Sequence, residues 1–391
     1  MILHRVRVHT SLHLTAGLAL CAALWSCATP QFGESEAGLA LEDLAPGLGT
    51  SRLVAQTPRP TRQSIEFMTA GNKRMADLYQ SPQGTRAGIV LVPGVVARGK
   101  NDSRLVAMAY TLARLRFAVL VPDMPGVRHY QVRARDVRNV ADAFAWLVSR
   151  PELAPQGHAG IAGFSYGAGP VLIAAIEPDI REQVRFVMAV GGYYSLQNVV
   201  AYLTTGYYST DARSGPAREQ HAGYRPPHPY GEGVFVRSNA DLLEHPADRS
   251  FLKQYANFIM NSGMGEEEEP LPPRLTPDGQ AFYDLLTNHD PARVPELLER
   301  LPARIRAELD GINPAARDLS RMRARVILLH GRGDNLVPYT ESIALADALP
   351  QEQVQLFLID GLAHVNFKPG PDDMPLLIRA MEALLAERVP D

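Results

Sequence analysis

Cysteine is almost missing. The 391-residue chain holds two, Cys21 and Cys27, both near its start. No disulfide framework can brace the body of the protein, and no thiol is present there to serve as a nucleophile. An excess of one charge is also lacking. Thirty-nine Lys and Arg face 42 Asp and Glu, a net charge of −3. Such a chain carries no basic field to grip nucleic acid, so a nucleic-acid partner is not expected. There is no Walker phosphate loop, no His-Glu-x-x-His zinc signature and no Cys/His cluster, and nothing repeats at a solenoid period. No cofactor and no metal are expected. The apolar stretch at 12–25 is too short to span a bilayer comfortably.

What is present is a rhythm of short apolar runs, each ending in a polar loop. Residues 64–68 and 74–79 read as an opening antiparallel hairpin. Further strands are expected at 87–92, 117–121, 158–164, 184–190, 325–330 and 354–359. Helices are expected at 103–115, with Asn101, Asp102 and Ser103 available as caps, at 136–150 and at 168–175. Alternation of this kind implies an α/β fold, with a mostly parallel central sheet flanked by helices on both faces. The rhythm breaks from about 195 to 322. This stretch contains an acidic run at 266–269, best read as solvated, and helical patterns near 278–286 and 294–309. A structureless loop of that length is improbable inside a domain. It is expected to be a large, mainly helical cap inserted over the site. Tyr202, Tyr207, Tyr208 and Tyr224 within it either line an acyl pocket or pack the cap onto the core.

The chemistry centres on Gly163-Phe164-Ser165-Tyr166-Gly167, which sits between an apolar run and a small-residue run. This is the G-x-S-x-G nucleophile elbow in its strand–turn–helix setting. The flanking glycines are required because a side chain at so tight a turn would strike the neighbouring strand or helix. A serine hydroxyl is a weak nucleophile and needs a base held by a third group. Both appear in the required order, Ser, acid, His. Asp334 follows the strand at 325–330, and His364 follows the strand at 354–359. Loops at the carboxyl ends of strands are where open α/β sheets hold their chemistry. Ser165 is therefore the candidate nucleophile, His364 the general base and then acid, and Asp334 the group that fixes the histidine's tautomer. The competing reading of Asp334 is a turn or cap role. Asp360 is a rival acid, but four residues before the histidine it is better suited to shaping a turn. His330 is expected to pack under the loop, and His221, His228, His245 and His289 to lie at the surface. An oxyanion hole needs two aimed N–H groups. Tyr166 is expected to supply one, and Val95, with Val96 next in line, the other from the loop opened by Pro93-Gly94.

The strand-end motifs LVPG, VPDMPG, GFSYGA, HGRGD and DGLAH, spread over residues 63–388, resemble the α/β-hydrolase superfamily. Within it they are most similar to the dienelactone-hydrolase and esterase-like branch. Two positions differ. Pro93-Gly94 stands where many relatives have His-Gly, and the elbow holds serine, so the thiolate chemistry of dienelactone hydrolases proper is not implied. The resemblance implies a serine hydrolase cleaving a small-molecule carboxylic ester through an acyl-enzyme. The same triad serves amidases, peptidases and acyltransferases. A non-catalytic binding protein on a hydrolase scaffold is the reading from another class, and it predicts a broken triad.

At the N-terminus, Arg5 and Arg7 precede the apolar stretch, as in a signal peptide. Leu24-Trp25-Ser26-Cys27 resembles a bacterial lipobox, with Cys27 as the residue to be lipidated and so a means of membrane attachment. Cleavage after Ala28 and an uncleaved anchor are the alternatives. The expected organisation is a signal segment over 1–26, a flexible tether over 27–62, and the catalytic domain over 63–391 with its cap at about 195–322. The expected location is outside a bacterial cytoplasm, either lipid-anchored in the envelope or soluble in the periplasm or medium.

Overall fold

The computed structural model describes residues 32–45, 50–69, 71–210, 222–261, 269–364, 366–367, 370 and 372–390. The expected signal segment, Cys27 and His221 lie outside them. Among the described residues, no helix is long and apolar enough to cross a membrane.

Among the described residues the strands of three or more residues are, in chain order, β1 (Thr61–Thr69), β2 (Asn72–Gln80), β3 (Ala87–Val92), β4 (Phe117–Pro122), β5 (Ala159–Phe164), β6 (Phe186–Val190), β7 (Tyr207–Ser209), β8 (Ala222–Tyr224), β9 (Arg325–Gly331) and β10 (Val354–Ile359). All but β7 and β8 join one sheet in the order β1-β2-β4-β3-β5-β6-β9-β10. β2 pairs antiparallel with both β1 and β4, and the remaining neighbours are parallel. β3 shows why the inner strands read as unbroken apolar runs. Ile89 and Leu91 enter the core on one face, and Val90 and Val92 enter the core on the other. A parallel strand covered on both sides has no polar face to alternate with.

The helices are α1 (Glu36–Leu44), α2 (Arg52–Gln56), α3 (Ser103–Arg114), α4 (Pro125–Arg128), α5 (Arg135–Val148), α6 (Ala168–Ala174), α7 (Leu196–Thr205), α8 (Pro229–Ala240), α9 (Pro246–Asn261), α10 (Pro277–Leu286), α11 (Val294–Glu299), α12 (Ala303–Gly311), α13 (Thr340–Ala348) and α14 (Met374–Leu385). α5 is a representative sheet-covering helix. Val137, Val140, Ala141, Phe144 and Leu147 are buried, a spacing that lines one side of a 3.6-residue turn. α5, α6 and α13 cover one face of the sheet, while α1, α3 and α14 cover the other. α3 begins at Asp102, whose side chain accepts from Arg104 N at 3.1 Å.

The flexible tether expected over 27–62 is corrected from Phe32 onward. α1 packs against α14 and α3, and Phe32, Ala37, Ala40, Leu41 and Leu53 are buried in the same core as Leu112 and Leu384. Ser35 and Ser51 cap α1 and α2, and Arg388 pairs with Glu36. The stretch is rich in small residues, yet its few large apolar side chains fall on one helical face and cover the sheet's outer layer.

Between β6 and β9 the chain leaves the sheet to form α7–α12 and the β7–β8 ribbon. Their apolar side chains, among them Tyr202, Phe235, Leu252, Phe282, Leu297 and Ile305, form a separate core. Val337, from the loop after β9, joins that core, so the insertion is packed onto the carboxyl end of that strand. The helix expected over 294–309 is two helices, parted at Pro302, the N-cap of α12.

Candidate active site

β5 delivers the serine. After Phe164 the chain turns through a 3-10 segment, Ser165–Gly167, and enters α6. Ser165 has φ of +52°, a region that costs a non-glycine residue about 1–3 kcal/mol and presents the hydroxyl at the tip of the turn. An added Cβ on Gly163 would lie 2.5 Å from Gly167 O and 2.7 Å from Val171 Cγ2. One on Gly167 would lie 2.6 Å from Pro93 O and 3.1 Å from Val92 O. The first glycine lets the helix approach the strand, and the second lets the elbow approach the β3 loop.

Asp334 and His364 arrive from β9 and from the loop after β10. His364 Nε2 lies 2.9 Å from Ser165 Oγ, and His364 Nδ1 lies 2.8 Å from Asp334 Oδ2. The carboxylate can only accept, so the proton on the ring belongs to Nδ1 and leaves Nε2 to accept from the serine. Asp334 is 1% exposed. Its Oδ1 accepts from the backbone N–H of Leu336 and Val337 at 2.8 and 2.9 Å. Burial by itself would raise its pKa, but the neighbouring charge and hydrogen bonds of His364 and His330 outweigh it and hold the carboxyl well below the usual range. Turn-shaping and histidine-orienting are therefore not alternatives for Asp334, because each uses a different oxygen.

His330 is fully buried beneath this loop. Its Nδ1 lies 2.6 Å from Ser342 Oγ, and its Nε2 lies 3.0 Å from Val337 O and 3.3 Å from Asp334 Oδ2. Asp360 does not reach His364. Its side chain is 81% exposed and pairs with Arg332 at 3.4 Å. His228 is exposed and caps α8 through its ring, accepting from Tyr230 N at 3.2 Å.

The two residues expected to form an oxyanion hole lie on the elbow and on the β3 loop. Tyr166 follows it directly. Gly94 brings the β3 loop against it: an added Cβ there would lie 3.1 Å from Ser165 Cβ and 3.7 Å from Ser165 Oγ. Val95 is buried, and its carbonyl accepts from Tyr230 Oη at 2.7 Å. The Tyr166 hydroxyl donates to Asp136 Oδ2 at 2.9 Å, within a buried cluster that also receives Arg133 N at 3.1 Å. Burial raises the Asp136 pKa, with the Tyr166 and Arg133 hydrogen bonds acting against it.

Several supporting residues were not evident from sequence motifs. Asp373 accepts from the backbone N–H of Asp360, Gly361 and Gly370 at 2.8, 2.9 and 2.8 Å, which ties down the loop that carries His364. Glu341, buried in α13, accepts from Tyr194 N, Ser195 N and Asn198 Nδ2 and so fixes the exit of β6 into the insertion. Burial raises its pKa against those three bonds. The only local sign of Asp373 is its place at the N-terminus of a helix. Nothing near Glu341 distinguishes it from a surface helix residue. Of the four tyrosines left open, Tyr202 is fully buried, with its ring 6.0 Å from that of Tyr208. Tyr207 and Tyr224 pair at 5.1 Å on the exposed β7–β8 ribbon.

The strand order and an elbow serine on the fifth strand, with the acid and the histidine after two later strands, decide the architecture. The fold is that of the α/β hydrolases, with a large inserted segment. No family model matches the sequence, and no curated protein matches it. Solved structures are similar to it at low identity. A puromycin-hydrolysing peptidase of Mycobacterium tuberculosis is 18% identical, covering 84% of this chain and 38% of its own, with a TM-score of 0.46. This chain thus spans little more than a third of that peptidase's length. Est1E from Butyrivibrio proteoclasticus is 16% identical over 83% of this chain and 98% of its own, with a TM-score of 0.44. An esterase domain from a Rhodothermus marinus protein is 16% identical over 84% and 100%, with a TM-score of 0.43. Likeness at this level says nothing about activity, which lies in sites and not in folds.

Proposed function

We propose that the chain is a serine hydrolase that cleaves a carboxylic ester through an acyl-enzyme on Ser165. The observation that carries this reading is the unbroken relay from Ser165 Oγ to His364 Nε2 at 2.9 Å and from His364 Nδ1 to Asp334 Oδ2 at 2.8 Å. In the first half-reaction Ser165 Oγ attacks the ester carbonyl as its proton passes to His364 Nε2. Asp334, ionised and buried, stabilises the imidazolium that results. The tetrahedral oxyanion is received by the N–H groups of Val95 and Tyr166. Collapse expels the alcohol, which takes its proton from His364. In the second half water replaces the alcohol, His364 accepts its proton, and the acid leaves with Ser165 restored. From the Leu24–Cys27 motif we further propose export with a lipid on Cys27, checked by mass spectrometry of the mature N-terminus.

The test of the triad is labelling with a fluorophosphonate probe, with the modified peptide mapped by mass spectrometry. The expected result is one label on Ser165 that is lost in Ser165→Ala and His364→Ala, both folded, followed by turnover of an ester panel that exceeds turnover of matched amides. Label elsewhere, or wild-type ester turnover by Ser165→Ala, would overturn the reading.

A further inference from the structure

One short run of the insertion touches both sides of the proposed catalytic centre. Residues 225–230 read Arg-Pro-Pro-His-Pro-Tyr and join the β7–β8 ribbon to α8. At one end Arg225 Nη1 donates to the carbonyls of Arg332 and Asp334, at 2.8 and 2.9 Å. In the middle His228 N donates to Asn335 O at 2.7 Å. At the other end the Tyr230 hydroxyl donates to Val95 O at 2.7 Å. The first three bonds grip the acid loop, and the last grips the loop of the proposed oxyanion donor.

The composition suits a strut. Pro226, Pro227 and Pro229 fix φ near about −65° and have no N–H, and a residue before proline is held extended. The run therefore resists bending and has little capacity to join a sheet. Its ends are also tied back. Arg225 N donates to Gly206 O at 3.0 Å, and the ring of Tyr230 packs edge-on to Tyr130, 6.2 Å between centroids. Burial, with Tyr130 adding to it, pushes the Tyr230 hydroxyl up to about 12, so it stays a donor through the neutral range.

We propose that Arg225 and Tyr230 are positioning residues: the proline strut between them sets the spacing of the acid loop and the oxyanion loop, so that full catalysis requires the insertion to be docked. This rests on the serine-hydrolase reading. It separates the strut from a mere wall of the substrate site. A wall acts through substrate contacts, so its loss appears in KM and grows with acyl length. A strut acts on the reacting geometry, so its loss appears in kcat and is the same for every acyl chain.

The experiment uses the full chain with Tyr230→Phe, Arg225→Ala and Arg225→Lys, each checked for a cooperative melt. kcat and KM are measured separately on p-nitrophenyl acetate, butyrate and octanoate, with Ser165→Ala alongside. The expected result for Tyr230→Phe and Arg225→Ala is a kcat lower by about 10- to 100-fold on all three esters, the scale of a displacement of about 1 Å at a reacting centre, with KM unchanged. Arg225→Lys, which keeps a donor, recovers part of the Arg225→Ala loss. Wild-type kcat in both variants, or a loss confined to KM and rising with acyl length, would overturn the strut while leaving the triad intact if Ser165→Ala is inactive. Turnover by Ser165→Ala would instead remove the reading beneath it.

Discussion

Asp334 receives four donors on two oxygens: two backbone N–H groups on one, and His364 and His330 on the other. Replacing it with asparagine keeps the shape but can put an N–H where His364 needs an acceptor, so the imidazole turns to the wrong tautomer. The expected loss in kcat for Asp334→Asn is about 10⁴-fold, as in other triads of this kind, measured on any accepted ester. The depressed pKa has a stability consequence with a definite sign. An acid whose folded pKa lies below its unfolded value contributes stability that is complete above the unfolded value, near about 4, and is lost as pH falls through the folded one. Melting temperature should therefore fall less steeply below about pH 4 in Asp334→Asn than in wild type, and equal slopes would contradict this. The three residues of the proposed triad were legible because each follows an apolar strand and carries a side chain with few other uses. Asp373, Glu341 and Tyr230 were not, because each gains its role from backbone groups that only the fold brings to it. Tyr230 and Val95 stand 135 positions apart.

Among the elements, the sheet and its covering helices were readable from apolar runs and 3.6-residue spacing, and most ends fall within about two residues of expectation. The insertion was only half readable. α10 and the span of α11 and α12 showed their periodicity, while α7, α8 and α9 were not anticipated. In α8 the reason is visible. It begins at Pro229 and includes Gly231 and Gly233, residues of poor helix propensity, so it owes its form to its neighbours. Gly233 packs closely against α9: an added Cβ would lie 2.1 Å from Met260 Cγ and 3.1 Å from Ala256 O. The thioether can move aside, but the backbone oxygen cannot. Gly233→Ala is expected to destabilise the α8–α9 pair by about 1–3 kcal/mol. The loss should appear as faster proteolysis within the insertion while the sheet stays protected. Unchanged proteolysis would mean that the pair tolerates the extra methyl.

At the scale of the whole molecule, the insertion carries a charge set against it. Burial alone pushes Glu232, in the first turn of α8, up to about 7. An acid with a raised folded pKa lowers stability as pH climbs from its unfolded value, near about 4.5, to the folded one, and the loss is complete above it. Glu232→Gln removes that cost. The variant should be more stable than wild type by about 1–3 kcal/mol at pH 8 and equal to it near pH 4, read from chemical denaturation at both pH values. A gain of the same size at both would show that ionisation is not its source. The layer made by α1 and α2 belongs to this scale too. Its apolar positions 37, 40, 41 and 44 have helical spacing, a signal hidden by the small residues around them. What it covers, the outer face of α3 and α14, becomes evident only when α14 lies beside α1.

Ser165 and His364 are 199 positions apart, and this separation orders events in time as well as in space. A ribosome adding about 5–20 residues per second releases the serine about 10–40 s before the histidine. On the proposed mechanism, the growing chain until then has a hydroxyl without its base, and an ester it meets is safe from it. Competence begins only once the last strand of the sheet and the turn beyond it have been made.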